Sequence, residues 1–191
     1  MHICIYGASS NQISEGYIHA TEELGSALAQ AGHVLVYGAG GAGLMGAAAR
    51  GFKKHQGTVI GVVPRFLKVD GILYDHCDEL IYTDTMRERK QIMEDRSDAF
   101  VVTPGGIGTF EEFFEIYTLK QLGRHRKPIV LYNIEGYYDE LLAMLDKAVL
   151  QSFMRSESLP LVHVAHTSQD VIAYLQSYHA NQVDIQSTKY V

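Results

Sequence analysis

The chain has 191 residues, of which 47% are hydrophobic and 20% charged, a composition typical of a globular protein with one substantial core. Its 16 lysines and arginines are outnumbered by 22 aspartates and glutamates, which gives a net charge of −6. This balance excludes a general basic surface for nucleic acid or an anionic membrane, so any phosphate site has to be local.

The chain contains two cysteines, Cys4 and Cys77, without paired spacing or a metal-type cluster. We expect reduced thiols and no metal site. No apolar run approaches the roughly 18 residues of a membrane span, and the first residues lack the basic and apolar segments of a signal peptide. A cytoplasmic location is therefore the expectation.

Apolar runs alternate with stretches of helical spacing along the whole chain. Strands are predicted at residues 2–6, 33–37, 58–63, 79–83, 100–103, 128–132 and 161–164. Helices are predicted at residues 15–31, 44–55, 85–96, 109–122, 137–151 and 168–178, with irregular structure at 65–78. This alternation predicts an α/β fold, a doubly wound, Rossmann-like parallel sheet covered on both faces. We expect a single domain over 1–178 and a polar tail over 179–191.

Three glycine-bearing turns, at residues 7–10, 38–46 and 104–109, follow predicted strands. Ligands of such sheets bind beyond the carboxyl ends of the strands, so all three turns should lie at one edge. Gly41-x-Gly43-x-x-Gly46 has the spacing of a dinucleotide fingerprint, but the next strand ends without the acid that would hold a ribose. An NAD site is disfavoured; this turn either admits a nucleotide or packs helix on strand.

The stretch Val101 to Glu112 is where we expect the chemistry. A β-branched run breaks at Pro104, turns through three glycines and opens a helix at Thr109. Such a junction directs free backbone N–H groups and the positive end of a helix at one point, which suits a phosphate. Glu112 would lie one turn inside that helix, close to the anion site.

Glu112 has two interpretations. Thr109-Phe-Glu-Glu112 fits the capping box, in which Glu112 would return a hydrogen bond to the cap residue. The same carboxylate would also be well placed for catalysis. Spacing alone does not separate the two roles.

The predicted helix over 85–96 carries two further cations. Arg89 falls on its apolar stripe, where a guanidinium must reach solvent, pair with a buried acid or hold a ligand. Lys90 has a simpler interpretation, a surface pair with Glu94 four residues on.

Taken together, these segments resemble the Lonely Guy family of nucleoside 5′-monophosphate phosphoribohydrolases, some older members of which were labelled lysine decarboxylases. The match spans residues 3 to 155, in the family's order and spacing. Its segments are Tyr6-Gly-Ala-Ser-Ser10, Tyr37 to Gly46, Ile60 to Pro64, Met86-Arg-Glu-Arg-Lys90, Pro104 to Glu112 (the PGGxGTxxE motif), Gln121 to Pro128 and Gly136-Tyr-Tyr138.

The resemblance implies hydrolysis of the N-glycosidic bond of AMP or a cytokinin ribotide, giving a free base and ribose 5-phosphate. It implies a homodimer or larger homo-oligomer and no metal or organic cofactor. The family's catalytic pair falls on Arg89 and Glu112. Substrate-contacting positions fall on Ser9, Gly41, Met86, Lys90, Gly105, Gly106, Gly108, Thr109 and Thr118.

One departure from the family is Arg87, where many members have His; helical spacing turns Arg87 away from Arg89. An alternative function is a non-catalytic nucleotide-binding or sensing protein, which would gain little from an acid beside a phosphate. A lysine decarboxylase would need a pyridoxal-phosphate lysine, and the sequence nominates none.

Overall fold

A computed structural model describes residues 1–68, 71–180 and 188 of the chain. The strands are β1 His2–Tyr6, β2 Val34–Tyr37, β3 Val59–Pro64, β4 Glu79–Thr83, β5 Ala99–Val102, β6 Ile129–Tyr132 and β7 His163–Ala165. The α-helices are α1 Glu15–Gln30, α2 Gly43–Lys54, α3 Met86–Asp95, α4 Ile107–Gln121, α5 Asp139–Leu150 and α6 Ser168–Ser177.

Within the described residues, the strands form one seven-stranded sheet in the order β4-β3-β2-β1-β5-β6-β7. Every neighbouring pair is parallel. Chain order reverses direction at β1, which has β2 on one side and β5 on the other. This reversal leaves a crevice beyond the carboxyl ends of β1 and β5, the usual ligand position in such sheets.

Successive side chains of each strand point to opposite faces of the sheet and pack into two separate hydrophobic cores. On one face, Ile3 and Ile5 pack with residues of α1, α2 and α6, such as Leu24 and Phe52. On the other face, Cys4 and its neighbours pack with residues of α3, α4 and α5. The strands are thus covered on both sides, as their continuous apolar runs require. The predicted doubly wound α/β fold is confirmed.

Element bounds differ from the predictions in a few places. Helix α4 begins at Ile107, two residues earlier than predicted. The last strand begins at His163, because residues 156–161 form a 3-10 helix. Within the predicted irregular stretch, Arg65–Leu67 forms a short 3-10 turn and Leu73 makes an isolated bridge to Gly40.

Most of the predicted polar tail lies outside the described residues. Thr188 within it is buried and bonded to the body of the protein: its hydroxyl donates to the Gln121 carbonyl, and its own carbonyl accepts from Gln121 and Ser158. In the described part of the chain, no helix combines the length and the apolar character that crossing a membrane demands.

Candidate active site

The three glycine turns meet at the carboxyl edge of the sheet, as predicted. The amide of Ala8, in the turn after β1, donates to the carbonyl of Pro104, 3.0 Å away. The carbonyl of Ala8 accepts from the amide of Leu44 at 2.8 Å. The turn after β1 is therefore bonded to both of the others, and it fixes their relative position.

Backbone amides of the turn at 38–46 donate hydrogen bonds to other parts of the protein. Gly41 donates to Ile72 O at 2.8 Å, and Gly43 donates to the side chain of Asn11 at 2.7 Å. Gly43 has φ +58°, and a Cβ there would lie 2.4 Å from Ala8 O, so this position requires glycine. These bonds pack the turn closely against its neighbours, and Gly38, Gly40 and Ala42 of the same turn also line the cleft beside Arg89.

The turn at 104–109 is different, because its amides are free. Gly106 is the N-cap of α4 in an extended conformation. Across the described residues, the backbone N–H groups of Gly105 to Thr109 have no hydrogen-bond acceptor. A Cβ at Gly106 or Gly108 would meet nothing within 4 Å, so the backbone here faces open space. Unsatisfied amides at the positive end of a 15-residue helix form a ready site for an anion.

The capping-box interpretation of Glu112 is wrong. Thr109 lies inside the first turn of α4, and the helix has no side-chain cap at this end. Glu112 consequently lies about one and a half turns inside the helix, too far to return a bond to the cap residue. Its carboxylate faces a side chain from another helix.

That side chain is Arg89, on the buried face of α3. Its Nε donates to the carbonyl of Val62 at 3.1 Å, and its Nη1 donates to Glu112 Oε1 at 2.9 Å. The two charged side chains are 9% and 11% exposed. A Cβ at Gly38 would lie 2.0 Å from Nη2, so the glycine at the end of β2 leaves the space that the guanidinium fills.

Burial and the neighbouring Arg89 act on the pKa of Glu112 in opposite directions. Burial raises the pKa of Glu112, and the attraction and hydrogen bond of Arg89 offset part of that rise. The second carboxylate oxygen, Oε2, makes no hydrogen bond with any described residue, and the Glu112 side chain keeps 11% of its surface exposed. The structure therefore holds one oxygen of the acid and leaves the other available to a substrate or a water.

Lys90 does not form the predicted pair with Glu94. Its ammonium lies between two carboxylates of α4, bonding to Glu111 and, at 2.8 Å, to Glu115. Burial alone would lower the pKa of Lys90, but these two acids outweigh it and raise that pKa. The prediction failed because packing of α3 against α4 turns Lys90 toward the other helix. Arg87 is exposed, as its helical position predicted.

A cleft of about 430 Å³ opens beside Arg89. Ser9 lines it together with Arg89, and Gly40 and Met45 form its floor. Its outer wall is apolar and consists of Leu67, Ile72 and Leu73. Gly41 lies behind that wall, since a Cβ there would meet Leu73 O at 3.1 Å.

Met86 and Thr118 are the remaining predicted substrate contacts. Met86 begins α3 and is 38% exposed. Thr118 lies on the exposed side of α4, near Phe114 and Met154, and does not line the cleft as far as the described chain shows. Ser9 and Arg89 line the cleft, Glu112 is joined to it through its bond to Arg89, and the turn at 104–109 is bonded through Pro104 to Ala8, the neighbour of Ser9. Thr118 makes none of these contacts in the described chain.

Two tyrosines that the sequence did not nominate hold the glycine turn in place. The hydroxyl of Tyr137 donates to Gly105 O at 2.6 Å, and that of Tyr138 donates to Thr103 O at 2.7 Å. Asn133 in turn fixes Tyr138 by accepting its amide at 2.6 Å. Tyr137 and Tyr138 lie in Gly136-Tyr-Tyr138, a segment in which the chain resembles the family, but no local sequence pattern predicts their contacts with residues 103 and 105.

Comparison with known proteins identifies the family. Residues 45–175 match a family model described as "Possible lysine decarboxylase". A probable cytokinin riboside 5′-monophosphate phosphoribohydrolase of Oryza sativa subsp. japonica, LOGL5, is 38% identical over 92% of this chain and 72% of its own. The cytokinin riboside 5′-monophosphate phosphoribohydrolase LOG2 of Arabidopsis thaliana is 36% identical over 92% of this chain and 83% of its own.

Among solved structures, a Moco carrier protein from Chlamydomonas reinhardtii superposes with a TM-score of 0.69 and 28% identity, over 92% of this chain and 94% of that one. It shares the fold at lower sequence identity than the two plant proteins. With a family model covering most of its length and relatives above one third identity, the chain belongs to the Lonely Guy (LOG) family.

Proposed function

We propose that the protein is a hydrolase that cleaves the N-glycosidic bond of a nucleoside 5′-monophosphate, releasing a free base and ribose 5-phosphate. One observation carries this proposal: a buried glutamate, held by an arginine through one oxygen only, lies beside a helix start whose amides are free. Membership of a family whose plant relatives are named phosphoribohydrolases supports the same reaction.

The 5′-phosphate would bind at the N-terminus of α4. The amides of Gly105 to Thr109 and the helix dipole attract a dianion there. Tyr137 and Tyr138 keep the turn in shape, so little order has to be imposed when the phosphate arrives. Binding energy gained at the phosphate then holds the ribose near Glu112.

The chemical step is displacement at C1′ by water. As the bond from C1′ to the base nitrogen lengthens, positive charge develops on the sugar, and the carboxylate of Glu112 stabilises it. Oε2 of Glu112 accepts a proton from the attacking water, whose oxygen forms the new bond to C1′. The electron pair of the broken bond leaves with the base, which takes up a proton from solvent, and Glu112 returns its own proton to solvent before the next turnover.

Arg89 has a positioning role in this mechanism. Burial favours the neutral form of the Glu112 carboxyl, and the guanidinium of Arg89 favours its ionised form. Anchored on Val62, it also fixes the direction of Glu112. Of the other residues, we propose substrate contacts for Ser9, Met86, Lys90, Gly105, Gly106, Gly108 and Thr109. Gly41, whose amide is bonded to Ile72 O, and Thr118, which lies outside the cleft, are proposed as contacts on the family resemblance alone.

The substrate class is AMP or a cytokinin ribotide. The named plant relatives act on cytokinin riboside 5′-monophosphates, and the apolar cleft wall of Leu67, Ile72 and Leu73 can pack against a purine or its substituent. We further propose that the chain is one domain, that it assembles as a homodimer or larger homo-oligomer and that it works in the cytoplasm. Exposed Ile107, Leu150 and Phe153 support an assembly, and the free thiols of Cys4 and Cys77 suit a reducing compartment.

A second candidate function is nucleotide or cofactor binding without catalysis. The likeness to the Moco carrier protein favours it, since that protein is named for carrying a cofactor. A pure binder has no use for Arg89 and Glu112 as a buried pair at the anion site, so we rank it below the hydrolase.

Lysine decarboxylation does not fit the site. A pyridoxal-phosphate enzyme needs a lysine amine that can lose its proton beside the cofactor. Lys90 is the lysine nearest Arg89 in sequence; its ammonium is bonded to two acids, which raise its pKa, and in the described chain no lysine lines the cleft.

A panel of nucleoside monophosphates tests the proposal. Incubation with AMP, GMP, CMP, UMP and an N6-isopentenyl AMP, followed by chromatography of the liberated bases, should show an adenine-type base from at least one of them. Binding of these nucleotides without release of any base would instead support the non-catalytic candidate.

A further inference from the structure

A second charged group lies buried outside the proposed active site. Lys120 is on α4, about two turns beyond Glu112, and the residue is 3% exposed. Its ammonium donates to the carbonyl of Leu161 at 2.7 Å and lies 5.1 Å from the ring centroid of Tyr178. Throughout residues 1–68, 71–180 and 188, no carboxylate pairs with it.

This arrangement compensates the cation only in part, through one carbonyl and one aromatic ring. An ammonium has three donors, and one neutral carbonyl accepts from only one of them. Burial of a charge without an opposite charge or full hydrogen bonding is unfavourable. Accordingly, desolvation lowers the pKa of Lys120 to about 8.

Lys120 also lines a pocket at the end of α4 far from the glycine turn. The pocket measures about 440 Å³, and its walls are Pro160, Leu161, Tyr174, Ser177, Tyr178 and His179. Tyr174 is held from behind by His163, whose ring stacks on it with centroids 4.1 Å apart and planes 5° from parallel. The hydroxyls of Ser177 and Tyr178 are already bonded to backbone carbonyls, so Lys120 supplies the charged donors of the pocket, beside the hydroxyl of Tyr174 and the ring of His179.

We propose that this pocket binds a small aromatic carboxylate, with the carboxylate on the Lys120 ammonium and the ring against Tyr174 and Tyr178. The single ammonium of Lys120 matches the charge of a monoanion, whereas a phosphate dianion is held best by several cations or by a set of backbone amides. Flat aromatic walls with Pro160 and Leu161 favour a planar apolar body. The pocket is separate from the cleft beside Arg89, so the inference stands whatever the protein catalyses.

Binding should be linked to proton uptake, because an anion favours the charged form of Lys120. The other titratable groups that face it are His125, Tyr174, Tyr178 and His179. At pH 8 His125 is neutral, since burial lowers its pKa to about 4, and Tyr174 is neutral, since burial raises its pKa to about 12. Burial also raises the pKa of Tyr178. His179 is the remaining titratable group that lines the pocket, so the experiment includes a variant that removes its side chain.

The experiment is calorimetric titration of the whole protein at pH 8, in two buffers of different ionisation enthalpy. Benzoate is the probe, benzamide is the uncharged match, and inorganic phosphate tests charge without a ring. The variants are Lys120→Met, which fills the space without a buried charge and should fold, and His179→Ala. The melting temperature and the far-UV circular dichroism spectrum show that each variant is intact.

We expect benzoate to bind with net proton uptake, benzamide and phosphate to bind far more weakly, and Lys120→Met to weaken benzoate binding by about tenfold or more. Proton uptake should persist in His179→Ala and vanish in Lys120→Met. The proposal is overturned by any of three results: no benzoate binding at millimolar concentration, equal binding of benzoate by Lys120→Met, or binding of benzamide or phosphate as tight as that of benzoate.

Discussion

Nη1 of Arg89 lies 2.9 Å from Oε1 of Glu112, and the two residues come from helices that follow strands β4 and β5. The acid is therefore oriented by another element of the fold and not by a cap in its own helix. This separation makes the catalytic hypothesis testable, because a change at Glu112 leaves the start of α4 untouched.

Glu112→Gln keeps the shape of the side chain and an acceptor for Arg89 but removes the negative charge. We expect release of adenine from AMP to fall by about 10³-fold, the range typical of a lost catalytic acid or base. The melting temperature should also fall, since Arg89 loses its counter-charge, so the assay belongs well below that temperature. Glu140→Gln, at an exposed site on α5, is the matched control. Turnover within tenfold of wild type would remove Glu112 from the mechanism.

Arg89→Lys tests geometry at constant charge. A lysine cannot reach Val62 O and Glu112 Oε1 together, so we expect a loss of about 100-fold or more in kcat/KM for AMP. The control is Arg87→Lys, the same change two residues earlier on the exposed side of α3, which should leave the kinetics unaltered. Similar kinetics for the two variants would show that charge alone suffices at Arg89.

Tyr137→Phe removes the hydroxyl that holds Gly105 O. A looser glycine turn should raise KM for AMP several-fold, with a smaller change in kcat, because the phosphate contact is made before and during the reaction. Tyr17→Phe serves as control, since the Tyr17 ring packs against Tyr137 while its hydroxyl makes no hydrogen bond with described residues. Steady-state kinetics decide the matter; a lower kcat at constant KM would contradict a role in phosphate binding.

His125 should make the protein sensitive to acid. Its Nε2–H donates to Ile116 O at 2.8 Å and its Nδ1 accepts from the Lys127 amide at 3.2 Å, which defines a neutral ring. Burial lowers the pKa of His125 from 6.5 to about 4, so the unfolded chain takes up the proton first. Stability is therefore full above pH 6.5 and declines as the pH falls toward 4.

Denaturant unfolding between pH 7 and pH 4 measures this effect. His125→Gln, whose amide can still donate to Ile116, should flatten the acid side of the stability profile, and His166→Gln, at an exposed site, should not. An unchanged profile for His125→Gln would assign the acid sensitivity to other groups.

The sequence predicted the order of the elements because each strand is an unbroken apolar run and each helix has its own spacing. Strands β1 and β4 have the predicted bounds. The predicted start of α4 was wrong because Thr109 and Glu112 have the spacing of a capping box. In the structure the N-cap is Gly106, which has an extended backbone and no side chain to cap the helix. Because glycine has no side chain, Gly106 lacks the hydroxyl or carboxylate by which an N-cap residue is usually recognised in a sequence.

The candidate site was predictable in part. Spacing placed Arg89 on an apolar stripe, which predicted that its charge would reach solvent, pair with a buried acid or hold a ligand; the structure shows the buried acid. Lys90 was assigned a local partner because neighbours on one helix are visible in a sequence, while Glu111 and Glu115 meet it only through the packing of two helices. The contacts of Tyr137 and Tyr138 join residues 32 and 35 positions apart, and no local pattern encodes them.

The sheet order has a consequence for how activity returns during refolding. Three strands, β3, β2 and β1, separate β4 from β5, so Arg89 meets Glu112 only after both flanks have been built onto β1. A half-assembled chain can regain helix content without bringing these two side chains together. Adenine release after dilution from denaturant would therefore serve as a clock for the final long-range step, and it should lag behind the recovery of circular dichroism.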